Sequence, residues 1–299
     1  MKLSRLRTRL STSLSLLAAA LLAACATPSE PQGSLRKETV FALTSGMELL
    51  QFNAGQPGRI LARVPVTGLA AGDALVGIDF RVSRGVLFTL AQSGRVYTIN
   101  TGTGVLTQVP AAPLALMLPK GAFGFDFNPA VDRMRIVAEG GMNLRIHPDT
   151  GAVVDGNATL AGVQPDTPLS YAQADANAGK APGVTAVAYT YNKTNEKITT
   201  LYAIDRNLGV LAMQGSREGT APAVSPDTGR LTTIGALGLG PLLDASFDIS
   251  DLANTALAAV RTAQAPKTRL VLVDLATGSS TALGTVGDGS PLLGMAIEP

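Results

Sequence analysis

Hydrophobic and polar positions alternate along this chain in short runs, and one run keeps returning. A small residue, an apolar residue, Asp or Ala, and a large apolar residue follow one another at Gly77-Ile78-Asp79-Phe80 and Gly124-Phe125-Asp126-Phe127. The same order recurs at Ala186-Val187-Ala188-Tyr189, Ser246-Phe247-Asp248-Ile249 and Gly294-Met295-Ala296-Ile297. Successive copies lie 47, 62, 60 and 48 residues apart. That is the period of a repeat whose unit is a small antiparallel sheet.

Each repeat continues in the same way. A β-branched run follows the phrase, at Val86 to Leu90, Arg133 to Ala138, Leu201 to Ile204 and Ala256 to Val260. A second alternating strand comes next, as at Gly94 to Ile99, Met142 to Ile146 and Thr268 to Leu275. Turns such as Asn100 to Gly104, Pro148-Asp149-Thr150-Gly151, Pro226-Asp227-Thr228-Gly229 and Ala276 to Gly278 lead into a short last strand. Pro presets φ, Asp bonds its own backbone and Gly takes positive φ, so these are hairpin signals with a mechanism. Last strands are expected at Val105 to Val109, Ala152 to Val154, Leu231 to Ile234 and Ser280 to Leu283. The expectation is an all-β, five-bladed β-propeller of four-stranded antiparallel blades. Asp155 to Pro182 and Gly215 to Pro226 read as loops on one face.

The two ends complete the count. Leu293 to Ile297 is a first strand with no room for three more, while Val40 to Leu43, Met47 to Phe52 and Ile60 to Val64 are three strands lacking a first. Pairing them closes the ring and removes the sheet edges that would otherwise template aggregation.

Residues 1–24 read as a signal peptide. Lys2, Arg5, Arg7 and Arg9 precede an apolar run, Leu14 to Leu22, that is too short to span a bilayer. Leu22-Ala23-Ala24-Cys25 resembles the bacterial lipobox, which implies cleavage before Cys25 and lipidation of it. Cys25 is the only cysteine, so no disulfide competes for it. Residues 25–38 then form the lipidated Cys and a Pro/Ser/Gly-bearing tether, and 39–299 the propeller. The expected location is the cell envelope, anchored to the membrane by lipid. In a two-membrane, Gram-negative cell, Ala26 rather than Asp after the cysteine resembles the sorting signal for the outer membrane, facing periplasm or surface.

Charge removes one class of partner. The chain has 24 basic and 22 acidic side chains; without the four of the leader, 20 face 22. The mature domain is slightly acidic, and a nucleic-acid partner loses its main support.

Phe123 to Pro129, Asp132 to Val137 and Asn143 to Gly151 together resemble the signature of the bacterial DUF 4394 family, as do Leu201 to Asp205 and Thr277-Gly278. The resemblance covers roughly residues 40–297. It implies secreted or surface-located proteins with a propeller-like repeat and no established activity, so no catalytic residue carries over.

Two groups of residues are candidates for chemistry. Asp79, Asp126 and Asp248 occupy equivalent positions in first strands, which line the axis of a propeller. They could hold a hard cation such as Ca²⁺ or act as acid and base in a hydrolase. Alternatively, each accepts backbone N–H groups from a neighbouring blade, which the Ala at two of the five positions favours. Asp132, Arg133, Arg135, Asn143 and Arg145 cluster in one repeat, either as an anion site or as a cross-strand ladder with Asp126, Asp132 or Glu139; the ladder is preferred.

One His, one Cys and no Trp exclude a His/Cys zinc site, weaken a Ser-His-Asp triad and leave few aromatic faces for sugars. The expected function is a non-catalytic scaffold that binds a protein, peptide or small molecule without a cofactor. A hydrolase using the axial carboxylates is the alternative.

Overall fold

The computed structural model describes residues 33–109 and 118–299. The leader, Cys25 and most of the expected tether lie outside the described residues. Residues 33–38 lie along the first blade. There the Arg36 N–H donates to Asn53 Oδ1 at 2.9 Å and Asn53 Nδ2 donates to the Arg36 carbonyl at 2.8 Å.

Five sheets form a ring. The first contains β1 (Thr39–Thr44), β2 (Glu48–Asn53) and β3 (Ile60–Pro65). The second contains β4 (Leu75–Arg81), β5 (Val86–Ala91), β6 (Val96–Ile99) and β7 (Leu106–Gln108). The third contains β8 (Phe123–Asn128), β9 (Arg133–Ala138) and β10 (Met142–Ile146). The fourth contains β11 (Ser170–Tyr171), β12 (Val184–Tyr189), β13 (Leu201–Asp205), β14 (Val210–Gln214) and β15 (Arg230–Ala236). The fifth contains β16 (Asp244–Ile249), β17 (Ala256–Arg261), β18 (Arg269–Val273) and β19 (Ser280–Thr285). β20 (Leu292–Ile297) completes the first sheet, in the order β20-β1-β2-β3. It pairs antiparallel with β1 through Val40 opposite Ile297, Phe41 opposite Ala296, Ala42 opposite Met295 and Leu43 opposite Gly294. The ring therefore closes as the two ends of the sequence imply.

Strands β20, β4, β8, β12 and β16, one from each copy of the repeated phrase, are innermost and touch one another around the axis. Both faces of a blade meet a neighbour, so alternate side chains along one strand enter different interfaces. Phe41 and Leu43 pack with Ile78 and Phe80 of the second blade, whereas Val40 and Ala42 pack with Leu257 and Leu270 of the fifth. Five such clusters, one per interface, form the core.

Two blades depart from four strands. In the third, the strand expected at Ala152 to Val154 is a single bridge between Ile146 and Val153, because the chain leaves at once into the long connection. That connection is not all loop. Its β11 adds to β15 in parallel, Ser170 opposite Arg230 and Tyr171 opposite Leu231, as a fifth strand of the fourth blade.

Candidate functional site

The three recurring aspartates meet at the axis. On each inner strand the Asp lies two residues after a small residue, hence on the same face. The small residue lets the next blade come close. A Cβ at Gly77 would lie 2.8 Å from the Phe125 Cβ, one at Gly124 3.0 Å from the Val187 nitrogen, and one at Gly294 2.7 Å from the Ile78 nitrogen. At that spacing a carboxylate reaches the neighbouring backbone.

The Phe127 N–H donates to Asp79 Oδ2 at 2.7 Å, the Tyr189 N–H to Asp126 Oδ2 at 2.9 Å, and the Ile297 N–H to Asp248 Oδ2 at 2.5 Å. Where the preceding blade offers Ala188 or Ala296, the following Asp turns to its own strand. Asp248 Oδ1 accepts the Ile249 N–H at 2.6 Å, and Asp79 accepts the Phe80 N–H. Three carboxyl groups thereby satisfy the N–H at the large-apolar position of all five inner strands.

All three are buried, and one oxygen of each lies within 4.8 Å of the others, a spacing that could seat a cation. Burial pushes Asp79 and Asp126 well above the ordinary carboxylate range, and neighbouring carboxylates add to it. The side chains of these two also act on each other, Asp79 raising Asp126 and Asp126 lowering Asp79. Asp248 is pushed up to about 7, burial outweighing the N–H groups of Ile297 and Ile249.

A cleft of about 420 Å³ opens above one end of the axis. It draws on the first turn of four blades, including Arg81, Asn128, Asp132, Tyr191, Lys193 and Asp251; none of the three axial carboxyls lines it. Burial pushes the Tyr191 phenol up, with Asp79, Asp126, Asp248 and Asp251 all acting in the same direction. Asp251 Oδ1 is buried and has no hydrogen-bond partner among the described residues.

The predicted arginine cluster divides. Asp132 belongs with Arg81, whose Nε donates to Asp132 Oδ1 at 2.8 Å and whose Nη1 donates to Asp149 Oδ1 at 2.5 Å. Arg133 bonds the carbonyls of its own turn, Val131 and Asp132. Arg135, Asn143 and Arg145 do come together, but not with the expected partners. Asp126 is engaged at the axis, Asp132 with Arg81, and Glu139 with Arg206 at 2.6 Å.

The actual counter-charges come from the connecting segments. Arg135 Nη1 donates to Asp166 Oδ2 and Nη2 to Asp227 Oδ1, both at 2.6 Å, while Arg145 Nη2 donates to Asp166 Oδ1 at 2.6 Å. Arg135 is 1% exposed and Asp166 2%. A buried guanidinium satisfied on both edges has no fork left for an outside anion. Asp149 and Asp227 occupy the same place in the two Pro-Asp-Thr-Gly turns, and each grips an arginine of the preceding blade. That recurrence was the available signal for the clasp. His147, in one of these turns, accepts the Asp149 N–H through Nδ1 at 3.2 Å.

Solved structures resemble the chain at low identity. Against a dihydro-heme d1 dehydrogenase in complex with DHE, the identity is 14% and the TM-score 0.38, covering 87% of this chain and 46% of that one. Against Myxococcus xanthus glutaminyl cyclase, they are 11% and 0.44, covering 81% and 97%. A Bacteroides thetaiotaomicron protein of unknown function gives 13% and 0.44, covering 80% and 57%. No match is found among curated proteins. A family model matches residues 48–296, and the chain belongs to the family described as a domain of unknown function, DUF4394.

Proposed function

We propose that this chain is an envelope-anchored, non-catalytic binding domain whose ligand seat is the cleft over the axis. The carrying observation is that four blades contribute polar side chains to one cleft of about 420 Å³ while the axial carboxyls stay outside its lining. A cavity of this size with a few convergent polar groups suits a small molecule. Its lining carries Asp132, Glu196 and Asp251 against Arg81 and Lys193; Asp251 Oδ1 lacks a partner among the described residues, and Arg81 is already occupied by Asp132 and Asp149. The ligand is therefore a small polar molecule that donates hydrogen bonds, best through an ammonium group.

Titration with amine-bearing probes (lysine, glucosamine, spermidine) should raise the melting temperature of the wild type and not of Asp251→Ala. Shifts of equal size in both proteins, or in neither, would remove the cleft from function.

The second reading, a hydrolase, draws on the Asp248 carboxyl at about 7, a value suited to a general acid. It requires substrate to reach a buried group. Hydrolysis of any ester, amide or glycoside probe that is lost in Asp248→Asn would support it over the scaffold.

Anchoring rests on the lipobox-like Leu22 to Cys25 behind a basic and apolar leader. Cys25→Ser is expected to release the protein from the membrane fraction and abolish incorporation of an acyl label. Wild-type protein that is soluble and unlabelled would show that the anchor does not exist. With the anchor in place, the cleft works within the envelope, at the outer membrane in a two-membrane cell.

A further inference from the structure

We infer that the groove between the fourth and fifth blades is a second binding site, for a short aliphatic carboxylate. One wall is the connection from β15 to β16, with Leu239 and Pro241; the other is the facing surface of the fifth blade. Val260 stands opposite Arg269, and Val271 opposite Ala282, in the β17–β18–β19 ladder. Arg269 and Val271 are two residues apart on β18, so all four side chains share the face that looks into the groove. The open groove has a volume of about 360 Å³, at the small end of ligand pockets.

Arg269 is the anomaly in this apolar setting. Its Nε is buried without a hydrogen-bond partner, and no carboxylate pairs with it among the described residues. Among the other arginines on the strands, Arg81, Arg135, Arg145 and Arg261 are ion-paired, and Arg133 donates to the carbonyls of its own turn. Asp244, at the start of β16, is held by Arg261 at 2.7 Å, and Arg261 also donates to the Pro266 carbonyl.

A buried guanidinium donor without an acceptor is costly, and a carboxylate is the acceptor its planar fork matches. The walls then determine the rest of the ligand. Leu239, Pro241, Val260, Val271 and Ala282 offer apolar contact beside the charge. Phosphate or acetate would satisfy the arginine and leave the groove wet; an aliphatic alcohol would fill the groove and leave the arginine unpaired. Only an anionic head on an apolar chain does both.

Octanoate is the probe, with acetate and octanol as the two partial ligands, measured by calorimetry on the full-length protein. Saturable octanoate binding is expected, with acetate and octanol each weaker by about tenfold or more, the loss of roughly one charge-assisted bond or its apolar equivalent. Arg269→Met should weaken octanoate by a similar factor. Ala282→Trp, at an exposed position that would fill the groove without touching the arginine's supports, should do the same and covers the case in which the first variant misfolds. Binding that survives both substitutions, equal binding of octanol, or no saturable binding would overturn the assignment.

Discussion

Removal of residues 292–299 is expected to abolish the cooperative thermal transition of the propeller. β20 is the inner strand of the first blade, yet it is contributed from far along the chain, pairing Ala42 with Met295 and Val40 with Ile297. Its Met295 and Ile297 are 2% and 5% exposed, and burying two such side chains contributes on the order of 3–6 kcal/mol. That alone is comparable with the whole stability of many domains, about 5–15 kcal/mol. The loss does not stop there. The Ile297 N–H that satisfies Asp248 disappears, β1 becomes an open edge, and the contact of Gly294 with Gly77 and Ile78 that joins the first and second blades is broken. A peptide of residues 292–299 added in trans should restore part of the transition, because it restores the missing strand without covalent closure. Near-UV circular dichroism on heating measures both. A truncated chain that melts within a few degrees of the intact one would show that closure carries little of the stability.

The ring was legible because it is written in local pattern. A small-apolar-Asp-large phrase identifies an inner strand, Pro-Asp-Thr-Gly identifies a hairpin, and the incomplete counts at the two ends imply their pairing. All of this rests on alternation and turn chemistry within short windows. The partners of buried charge are not local. Arg135 finds Asp166 at a separation of 31 residues and Asp227 at 92, the first within a stretch without periodicity. Arg81 reaches Asp132 and Asp149 across 51 and 68 residues. Cross-strand reasoning could only offer the arginines carboxylates from their own blade, and those were committed elsewhere.

The axial aspartates lie between these cases. Their equivalence was plain from the repeat, and the alanines at two positions argued for backbone bonding. That three carboxyls serve five N–H groups, by turning to their own strand after an alanine, depends on how closely the glycine-bearing strands approach. Asp251 and Tyr191 carried no signal at all, since a single Asp or Tyr in a turn has many ordinary uses.

Stability should fall as pH rises from about 5 to 8, the reverse of what paired surface carboxylates produce. An acid whose folded pKa lies above its unfolded value binds more protons in the native state, so folding is favoured below the unfolded value and that advantage is lost as pH passes the folded one. Asp248 moves from an ordinary 3.8 to about 7, a difference that corresponds to on the order of 4 kcal/mol in all, a little over half of which is lost between pH 5 and 8. Asp79 and Asp126 are displaced in the same direction and add to the loss. Below about pH 4 the trend reverses, because carboxyls such as Asp149, held low by Arg81, and Asp288, held low by Ser290, then become protonated. Two substitutions separate the contributions. In Asp126→Asn the amide oxygen can accept the Tyr189 N–H while the amide NH₂ donates to Asp79, so the variant mimics the protonated acid and should flatten the pH profile with little cost at pH 5. In Asp248→Asn one N–H acceptor is replaced by a donor facing Ile249 or Ile297, so about 1–3 kcal/mol should be lost at pH 5, where the wild-type acid is protonated, and the deficit should shrink or reverse toward pH 8, where only the wild type carries the buried charge. Millimolar Ca²⁺ should leave the wild-type profile unchanged if protons alone balance the three carboxyls. A Ca²⁺-dependent rise in melting temperature at pH 8 that Asp126→Asn abolishes would instead make the axis a cation site. Melting curves between pH 4 and 8, with and without the ion, decide between a proton and a metal at the centre of the ring.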